Sequence, residues 1–195
     1  MRVLISGGSG LIGQALALDL ARDGNEVIIL SRRPESLGTL ITGIRAEKWD
    51  ARTAEGWYPL VNGADAIVNL AGESIGSERW TQRRKRAIVK SRIESGRAIV
   101  QAVEIAAIKP RVIIQASAVG YYDDSGDNSV TEESPQGRGF LAELASEWEA
   151  STESVERLGV RRAVIRTGVV LSQKGGALPR MITPFRFFVG GQLGN

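Results

Sequence analysis

Three glycines near the start of the chain have the spacing of a site for a phosphate-bearing cofactor. Gly7, Gly10 and Gly13 follow an apolar run at residues 3–5, and a helical pattern begins within the turn. In a dinucleotide-binding turn, one glycine permits the tight turn, one lets the backbone approach a pyrophosphate, and one lets the helix pack closely on the strand. Free N–H groups at the helix start then hold the phosphates. Since the motif connects a strand to a helix, it predicts a dinucleotide site rather than a purely structural turn.

The end of the second predicted strand, residues 26–30, bears on which dinucleotide is bound. Folds that prefer NAD place an acidic residue there, which accepts a hydrogen bond from the ribose 2′-hydroxyl. This chain has Ser31, Arg32 and Arg33 instead. A carboxylate would repel a 2′-phosphate, whereas a guanidinium binds it through two hydrogen bonds. The alternative is a solvated loop with two arginines, but next to the glycine motif the sequence favours NADP(H).

Two later strand ends carry further candidate cofactor residues. Asp50 follows a predicted strand at 44–49, where its side chain either reaches the adenine edge or simply forms a turn. Ala71 and Gly72 follow a predicted strand at 66–70, and small residues there let a cofactor lie across the sheet edge. Alternatively, Gly72 only ends the strand. The glycine motif upstream favours the cofactor role.

The chain has no histidine and no cysteine. Ser-His-Asp catalysis, imidazole bases, thiolate nucleophiles, disulfides and cysteine–zinc sites are therefore excluded, and we expect no metal. Proton chemistry is left to carboxylates, lysine, tyrosine or serine. The net charge of +3 is too small to indicate nucleic-acid binding by itself.

A basic cluster at residues 79–92 lies in the first half of a helix predicted at 81–107. Such a cluster is usually solvated. It can also bind a phosphate-bearing ligand, a protein partner or, less readily, nucleic acid, since no aromatic platform accompanies it.

No apolar run approaches membrane-spanning length, and the chain starts directly with a strand, so we expect no membrane span and no leader. Together with the lack of cysteine, this fits a cytoplasmic or organelle-stromal protein.

The elements that position these residues alternate between strands and helices. Further strands are predicted at 112–115 and 162–167, a loop at 123–139 and a helix at 140–158, while residues 172–195 show no strong periodicity. This alternation predicts an α/β fold, a Rossmann-type doubly wound parallel sheet. We assign residues 1–171 to an NADP(H)-binding Rossmann domain. The apolar face of the 81–107 helix comprises Ile88, Ala98, Ile99, Ala102, Val103 and Ala106.

Six segments in a fixed order resemble the atypical short-chain dehydrogenase/reductases often named "epimerase family protein", near the nucleotide-sugar epimerase branch. They are Gly-Gly-Ser-Gly-Leu-Ile-Gly, Asn-Leu-Ala-Gly-Glu, Arg-Trp-Thr, Lys-Ser-Arg-Ile, Ser-Ala-Val-Gly-Tyr-Tyr and Arg-Thr-Gly-Val-Val-Leu. The resemblance covers essentially all 195 residues. Members of that group continue well past the point where this chain stops, so the resemblance implies an N-terminal portion that lacks most of the substrate domain. It therefore implies an incomplete C-terminal substrate region, with residues 172–195 as the start of the truncated part.

The resemblance implies roles for individual residues. Ser91 falls where extended members have an asparagine near the cofactor. Arg92 beside it is either a phosphate or ribose contact or an exposed helix charge, and Leu171 either walls the nicotinamide pocket or packs in the core. The implied pyrophosphate contacts are Gly7, Gly10, Leu11, Ile12 and Gly13; Ser31 and Arg32 would meet the 2′-phosphate; Leu70, Ala71 and Gly72 would pass under the cofactor ribose.

The chain departs from this superfamily where active members have Tyr-x-x-x-Lys on one helical face. There the ammonium lowers the pKa of the phenol so that it can transfer a proton. Here the corresponding positions are Phe140 and Leu144. Ser117 falls at the catalytic serine position and by itself can only orient a carbonyl. Tyr121 or Tyr122 can replace the acid, but nothing in the sequence supplies a cation beside either.

Two functions are therefore open. One is an NADP(H)-dependent oxidoreductase or epimerase with an unusual proton donor and an unknown small-molecule substrate. The other is a non-catalytic NADP(H)-binding regulator whose fold is recognised by a protein partner. The resemblance supports the second as well, because cyanobacterial and plastid relatives are associated with cell or organelle division.

Overall fold

The computed structural model describes residues 1–191. Six strands form one sheet in which every neighbouring pair is parallel. The apolar, β-branched sequences of the central strands suit strands that are covered on both faces. The strands are β1 (Arg2–Ser6), β2 (Glu26–Ser31), β3 (Ile44–Lys48), β4 (Ala66–Asn69), β5 (Val112–Ala118) and β6 (Arg161–Thr167).

The strand order is β3-β2-β1-β4-β5-β6. The chain moves outward from β1 to β3, then crosses back to β4 and moves outward in the other direction. The order therefore reverses between β1 and β4, and in doubly wound sheets a ligand binds at this switch point, beyond the carboxyl ends of the strands. The predicted Rossmann-type fold is confirmed.

Within residues 1–191, four α-helices accompany the sheet: α1 (Leu11–Arg22), α2 (Gln82–Ile105), α3 (Phe140–Ala150) and α4 (Leu178–Arg186). Thr81 caps α2 by accepting a hydrogen bond from the backbone N–H of Arg84. The predicted apolar face of α2 is buried from Ile88 to Val103. None of the helices within residues 1–191 is both long and apolar enough to cross a membrane.

Alternate residues of the central strands enter two separate cores. Leu4 and Ile28 join the larger core, which includes Trp57 and the apolar face of α2. Ile5 and Ile29, one residue further along each strand, join the smaller core with Ala17 of α1. Since successive side chains of a strand point to opposite faces, the two cores cover the two faces of the sheet.

The helix predicted at 140–158 is divided. α3 ends at Ala150, and a 3-10 helix follows at Glu153–Leu158. Ser151 terminates α3 by donating its hydroxyl to the carbonyl of Trp148, at 2.6 Å. Serine hydroxyls compete with the helical backbone in this way, and the 3.6-residue periodicity does not register that competition.

The predicted C-terminal region contains more regular structure than its sequence indicated. Strands β7 (Leu171–Ser172) and β8 (Gly175–Gly176) form a short antiparallel hairpin, which is followed by α4. The rest of that region, residues 192–195, lies outside the described residues. The assignment of 172–195 to a substrate region stays a prediction.

Candidate functional site

Two glycines where β1 joins α1 leave no room for a side chain. Gly7 has φ +69°, and a Cβ there would lie 2.6 Å from the carbonyl oxygen of Leu70. A Cβ on Gly13 would lie 2.5 Å from the carbonyl oxygen of Gly7. Gly10 precedes α1 and contributes no side-chain cap, so the first N–H groups of the helix are open to an outside acceptor. The loop therefore fits an anion against the start of α1.

A cleft of about 410 Å³ runs from this loop along the carboxyl ends of β2, β3 and β4. Its other wall is the first half of α2, where Ala87 and Ser91 face it. The predicted cofactor residues that line the cleft are Gly7, Gly10, Ser31, Arg32, Asp50, Leu70, Ala71 and Gly72. These residues are up to 65 positions apart in the sequence, from Gly7 to Gly72, and the parallel sheet brings their strand ends together.

A buried polar network lies directly beneath the cleft. Ser6 donates its hydroxyl to Asn69 Oδ1 at 2.6 Å, and Asn69 Nδ2 donates to Gln115 Oε1 at 2.8 Å. The same Asn69 oxygen accepts from the backbone N–H of Ala71 at 3.3 Å. All three side chains are fully buried. Asn69 thus joins β1, β4 and β5 and orients the Ala71 turn; the sequence analysis did not identify this role, although polar residues in apolar strands were the available signal.

A second polar cluster lies at the ends of β5 and β6. Ser117 donates to Glu149 Oε1 at 2.6 Å, and Arg166 donates to both oxygens of Glu149, at 2.8 and 2.9 Å. Arg166 also donates to the phenol oxygen of Tyr122 at 2.8 Å and lies 3.6 Å from the ring centre of Tyr121. The expectation that no cation stands beside either tyrosine is wrong, because Arg166 contacts both.

Electrostatics explains why this second cluster is held together. Burial by itself raises the pKa of Glu149, but the hydrogen bonds from Arg166 and Ser117 outweigh it and hold that pKa below its ordinary value. The Glu149 hydrogen bond, and to a smaller extent that of Tyr122, raises the pKa of Arg166 despite some desolvation. The result is a charged, two-point carboxylate–guanidinium pair.

Comparison with known proteins gives a family that agrees with the glycine loop and with the order of strands in the sheet. The family model for the NAD-dependent epimerase/dehydratase family matches residues 3–183. The chain belongs to this epimerase/dehydratase family. Among its relatives is the epimerase family protein ML0860 of Mycobacterium leprae, 37% identical over 195 residues, which are 99% of this chain and 60% of that protein. The chain spans less than two thirds of the length of such relatives.

Two solved structures of the family are similar over the whole chain. Human epimerase family protein SDR39U1 (isoform 2), crystallised with NADPH, has a TM-score of 0.82 at 34% identity, and the match covers 63% of that chain. A nucleoside-diphosphate sugar epimerase from Corynebacterium glutamicum has a TM-score of 0.79 at 38% identity, over 39% of that chain.

In this family member, α3 contains neither tyrosine nor lysine. Phe140, at the start of the helix, packs edge-on against Trp80 with ring centres 5.3 Å apart, and Lys85 Nζ lies 4.9 Å from its ring centre. Leu144 is buried, with 5% of its surface exposed. Neither side chain offers a proton or a charge.

Asp50 lines the cleft, but its carboxylate is bonded within its own turn. Oδ1 accepts from the backbone N–H groups of Arg52 and Thr53 at 2.8 and 2.9 Å, and Oδ2 accepts from the Thr53 hydroxyl at 3.0 Å. Partial burial raises the pKa of Asp50, but these hydrogen bonds outweigh it and lower the pKa overall. The carboxylate therefore shapes the adjoining loop, as the turn alternative expects.

Arg92 is neither an exposed helix charge nor part of the cleft lining. It is 9% exposed and donates to the backbone carbonyl of Glu73 at 3.0 Å, and its guanidinium carbon lies 4.8 Å from the ring centre of Trp148. Burial lowers the pKa of Arg92 to about 10. A Cβ on Gly72 would lie 2.9 Å from the same guanidinium carbon, so Gly72 has to be small because Arg92 packs beneath it.

The loop after Gly72 is held against α2 by Ser91 and by arginines of the basic cluster. Glu73 forms an ion pair with Arg84, and its backbone N–H donates to Ser91 Oγ at 3.0 Å. Arg84 also donates to the carbonyl of Ser74 at 2.7 Å. At least Arg84 and Arg92 of that cluster therefore position the cleft wall.

Leu171, in β7, does not line the cleft. It is 61% exposed, so the core-packing alternative is wrong. Its hairpin nevertheless approaches the glycine loop, since a Cβ on the neighbouring Gly176 would lie 3.2 Å from Leu11 Cδ2. The nicotinamide role of Leu171 stays a prediction.

Among residues 1–191, no group of three or more acidic side chains is placed to hold a metal ion.

Proposed function

We propose that the cleft binds NADP(H) and that the chain is the nucleotide-binding part of an atypical extended short-chain dehydrogenase/reductase of epimerase/dehydratase type. The observation that carries this proposal is one continuous cleft that joins the glycine loop to Ser31 and Arg32. The human relative crystallised with NADPH supports it. Its substrate stays unidentified.

The residues present fit this cofactor. Gly7 and Gly13 let the loop pack closely on the Leu70 turn and on the start of α1, and the pyrophosphate would lie against the open N–H groups of that helix. The 2′-phosphate meets Arg32, whose guanidinium forms no ion pair with any carboxylate in residues 1–191. Bound NADPH would supply a hydride to a carbonyl or related acceptor.

For catalysis, Tyr122 is the better placed proton donor of the two tyrosines. Its phenol oxygen accepts a hydrogen bond from Arg166, and this contact stabilises the phenolate that forms when a proton is given up. Arg166 would thereby replace the missing lysine. The loss of a Tyr–Lys pair otherwise costs roughly two to four powers of ten in rate, the usual contribution of a positioned acid or base.

A non-catalytic, NADP(H)-binding regulator is the second candidate, and one observation favours it. Ser117, which would orient a carbonyl, donates its only proton to Glu149 and is 2% exposed. In this arrangement it has no proton to offer a substrate. A protein partner would then recognise the surface that the bound cofactor stabilises.

Calorimetric titration with NADPH and NADH tests cofactor binding. We expect NADPH to bind more tightly, and Arg32→Ala to weaken NADPH by about tenfold or more while changing NADH by less than about threefold. Arg33→Ala is the matched control, because Arg33 does not line the cleft. Equal affinities for the two cofactors, or no change on Arg32→Ala, would refute the proposal.

Turnover separates the two candidates. NADPH oxidation is measured with panels of carbonyl compounds and nucleotide sugars. Turnover that is lost in Tyr122→Phe or Tyr121→Phe supports the enzyme. Tight NADPH binding without turnover on any compound supports the regulator.

A further inference from the structure

Arg92 carries a buried positive charge that no carboxylate of residues 1–191 neutralises. The residue is 9% exposed and takes part in none of the ion pairs within that range. Its two hydrogen bonds, to the backbone carbonyls of Glu73 and Ile88, both come from Nη1. Nε and Nη2 donate to no acceptor in the described part of the chain, and neither atom is sealed from solvent. Since buried charges are generally paired, an unpaired one favours a partner from outside the chain.

The charge balance around Arg92 favours an anion as that partner. The charged groups that act on it are the Glu73 carboxylate and the Arg84 guanidinium. The Glu73 carboxylate already pairs with Arg84, and Arg84 Nε is itself buried without a hydrogen-bond partner. Two guanidinium groups therefore share one carboxylate, which leaves a net positive charge. Desolvation is the largest effect on Arg92 and lowers its pKa to about 10, so the side chain is still charged at neutral pH.

The Arg92 guanidinium lies between the two polar regions at the carboxyl edge of the sheet. It packs against Gly72, in the turn that lines the cleft, and against the ring of Trp148 in α3. The residue after Trp148 is Glu149, which accepts a hydrogen bond from Ser117 at the end of β5. A substrate that receives a hydride from the nicotinamide and a proton from a tyrosine of the second cluster lies between these same regions.

We propose that Arg92 binds an anionic group of the substrate, a carboxylate or a phosphate, through Nε and Nη2. These two nitrogens share one edge of the planar guanidinium, so their N–H groups bind two oxygens of one anion at once. The substrate class, a carbonyl compound that carries a negative charge, rests on the proposed function. The anion site itself rests only on the burial, charge and hydrogen bonds of Arg92.

The test measures the dissociation constants of inorganic phosphate and of acetate by calorimetry, with saturating NADPH present to occupy the glycine loop and Arg32. We expect Arg92→Met to weaken the tighter of the two anions by about tenfold or more, because a charge-assisted, two-point contact is lost. Arg92→Lys keeps a charge without the planar pair of donors, so its affinity should lie between the two. Arg86→Met, on the exposed side of the same helix, is the matched control and should change the affinity by less than about threefold.

Urea denaturation separates a ligand site from a purely structural arginine. Methionine removes an unpaired buried charge and keeps an unbranched side chain, so the unfolding midpoint of Arg92→Met should stay unchanged or rise. A lower midpoint with unchanged anion affinity would assign Arg92 a structural role and overturn the inference. If Arg92→Met does not fold, Arg92→Lys provides the same comparison.

Two further results would overturn the inference. One is that neither anion binds to the unmodified protein. The other is that Arg92→Met weakens NADPH while both anions bind as before, which would assign Arg92 to the cofactor. If the unmodified protein does not bind NADPH, the proposed function fails, and the same comparison of anion affinities without nucleotide still decides whether Arg92 is an anion site.

Discussion

The two halves of the sheet's carboxyl edge treat their polar groups differently. In the half formed by β1, β2 and β4, polar groups face a cleft. In the half formed by β5 and β6, the polar side chains bond to one another. The Arg32 side chain and the first N–H groups of α1 are open to an outside partner. The buried Ser6 and Asn69 hold the surrounding loops in place. Ser117 and Arg166, by contrast, both donate to Glu149.

The difference indicates which half is built in advance for a ligand. A preformed cleft whose donors have no internal partner binds an anion without first breaking contacts. A polar cluster whose members satisfy one another has to be opened before it can contact a substrate, and opening it is costly because the cluster is largely buried. Substitutions in the first half should therefore affect binding, and those in the second half should affect stability.

The largest effect is expected for Gly13→Val. The added Cβ would lie 2.5 Å from the Gly7 carbonyl oxygen and 2.6 Å from Gly8 Cα, both backbone atoms that cannot rotate away. Moving α1 off the loop should weaken NADPH binding roughly 100-fold, as expected when the close helix–strand packing of such a turn is lost. Calorimetry measures the change.

Gly168→Ala is the control for this glycine, because a Cβ at Gly168 would meet nothing within 4 Å. It should leave NADPH affinity within about threefold of the original, as expected of a site away from special contacts. Unchanged binding in Gly13→Val would mean that the glycine loop does not carry the pyrophosphate.

The second half should respond in the opposite way. Glu149→Gln leaves Arg166 without its carboxylate, and the two side chains are only 14% and 17% exposed. We expect the free energy of unfolding to fall by about 2–3 kcal/mol, as for a largely buried pair that loses one member. Urea denaturation measures this, and NADPH affinity should change by less than about threefold, because no contact to the cleft is removed.

A comparison pair on the same segment sharpens this prediction. Glu156 pairs with Arg162 at 2.9 Å, but the Glu156 side chain is 51% exposed. Glu156→Gln should therefore cost less than about 1 kcal/mol, since solvent screens the pair. Similar losses for both variants would contradict the view that the Glu149 cluster is a closed, structural unit.

The pH dependence of stability gives a smaller effect on the same cluster. The folded-state pKa of Glu149 is lowered, so the folded protein binds a proton less readily than the unfolded chain does. Its contribution to stability is complete above the ordinary value of 4.5 and is lost as the pH falls through the lowered pKa. The stability difference between the unmodified protein and Glu149→Gln should therefore shrink as the pH is lowered below that value. A stability difference that stays constant with pH would contradict this prediction.

The same division explains what could be predicted from the sequence. The glycine loop, Ser31–Arg32 and Ala71–Gly72 are short local patterns, each beside an apolar strand, and a parallel sheet necessarily brings its strand ends together. The Ser117 cluster depends on contacts between distant residues: Ser117 and Glu149 are 32 positions apart, and Tyr122 and Arg166 are 44 apart. No local sequence periodicity connects the residues of either pair.

The burial of Arg92 was not visible in the sequence for a related reason. Arg92 lies among charged residues, so a local pattern leaves an exposed helix charge as one alternative, whereas its partners are the Glu73 carbonyl and Trp148 from other parts of the chain. The break after α3 depends on a single serine hydroxyl bonded to the Trp148 carbonyl. Composition and periodicity indicate which surface is apolar. They do not indicate which polar groups bond to one another.

Ser117→Ala should have a small effect and is the most direct test of the comparison. It removes one hydrogen bond to Glu149, which retains both contacts with Arg166, so unfolding should become easier by about 1 kcal/mol. Because the Ser117 proton is directed at Glu149, turnover on any carbonyl compound found to react should change by less than about threefold, far below the usual contribution of a positioned catalytic group. A drop of about 100-fold with unchanged stability would show that the serine turns toward a substrate and that this half of the edge opens during the reaction. Thermal unfolding and steady-state kinetics on the same variant therefore decide whether the second half is structural or catalytic.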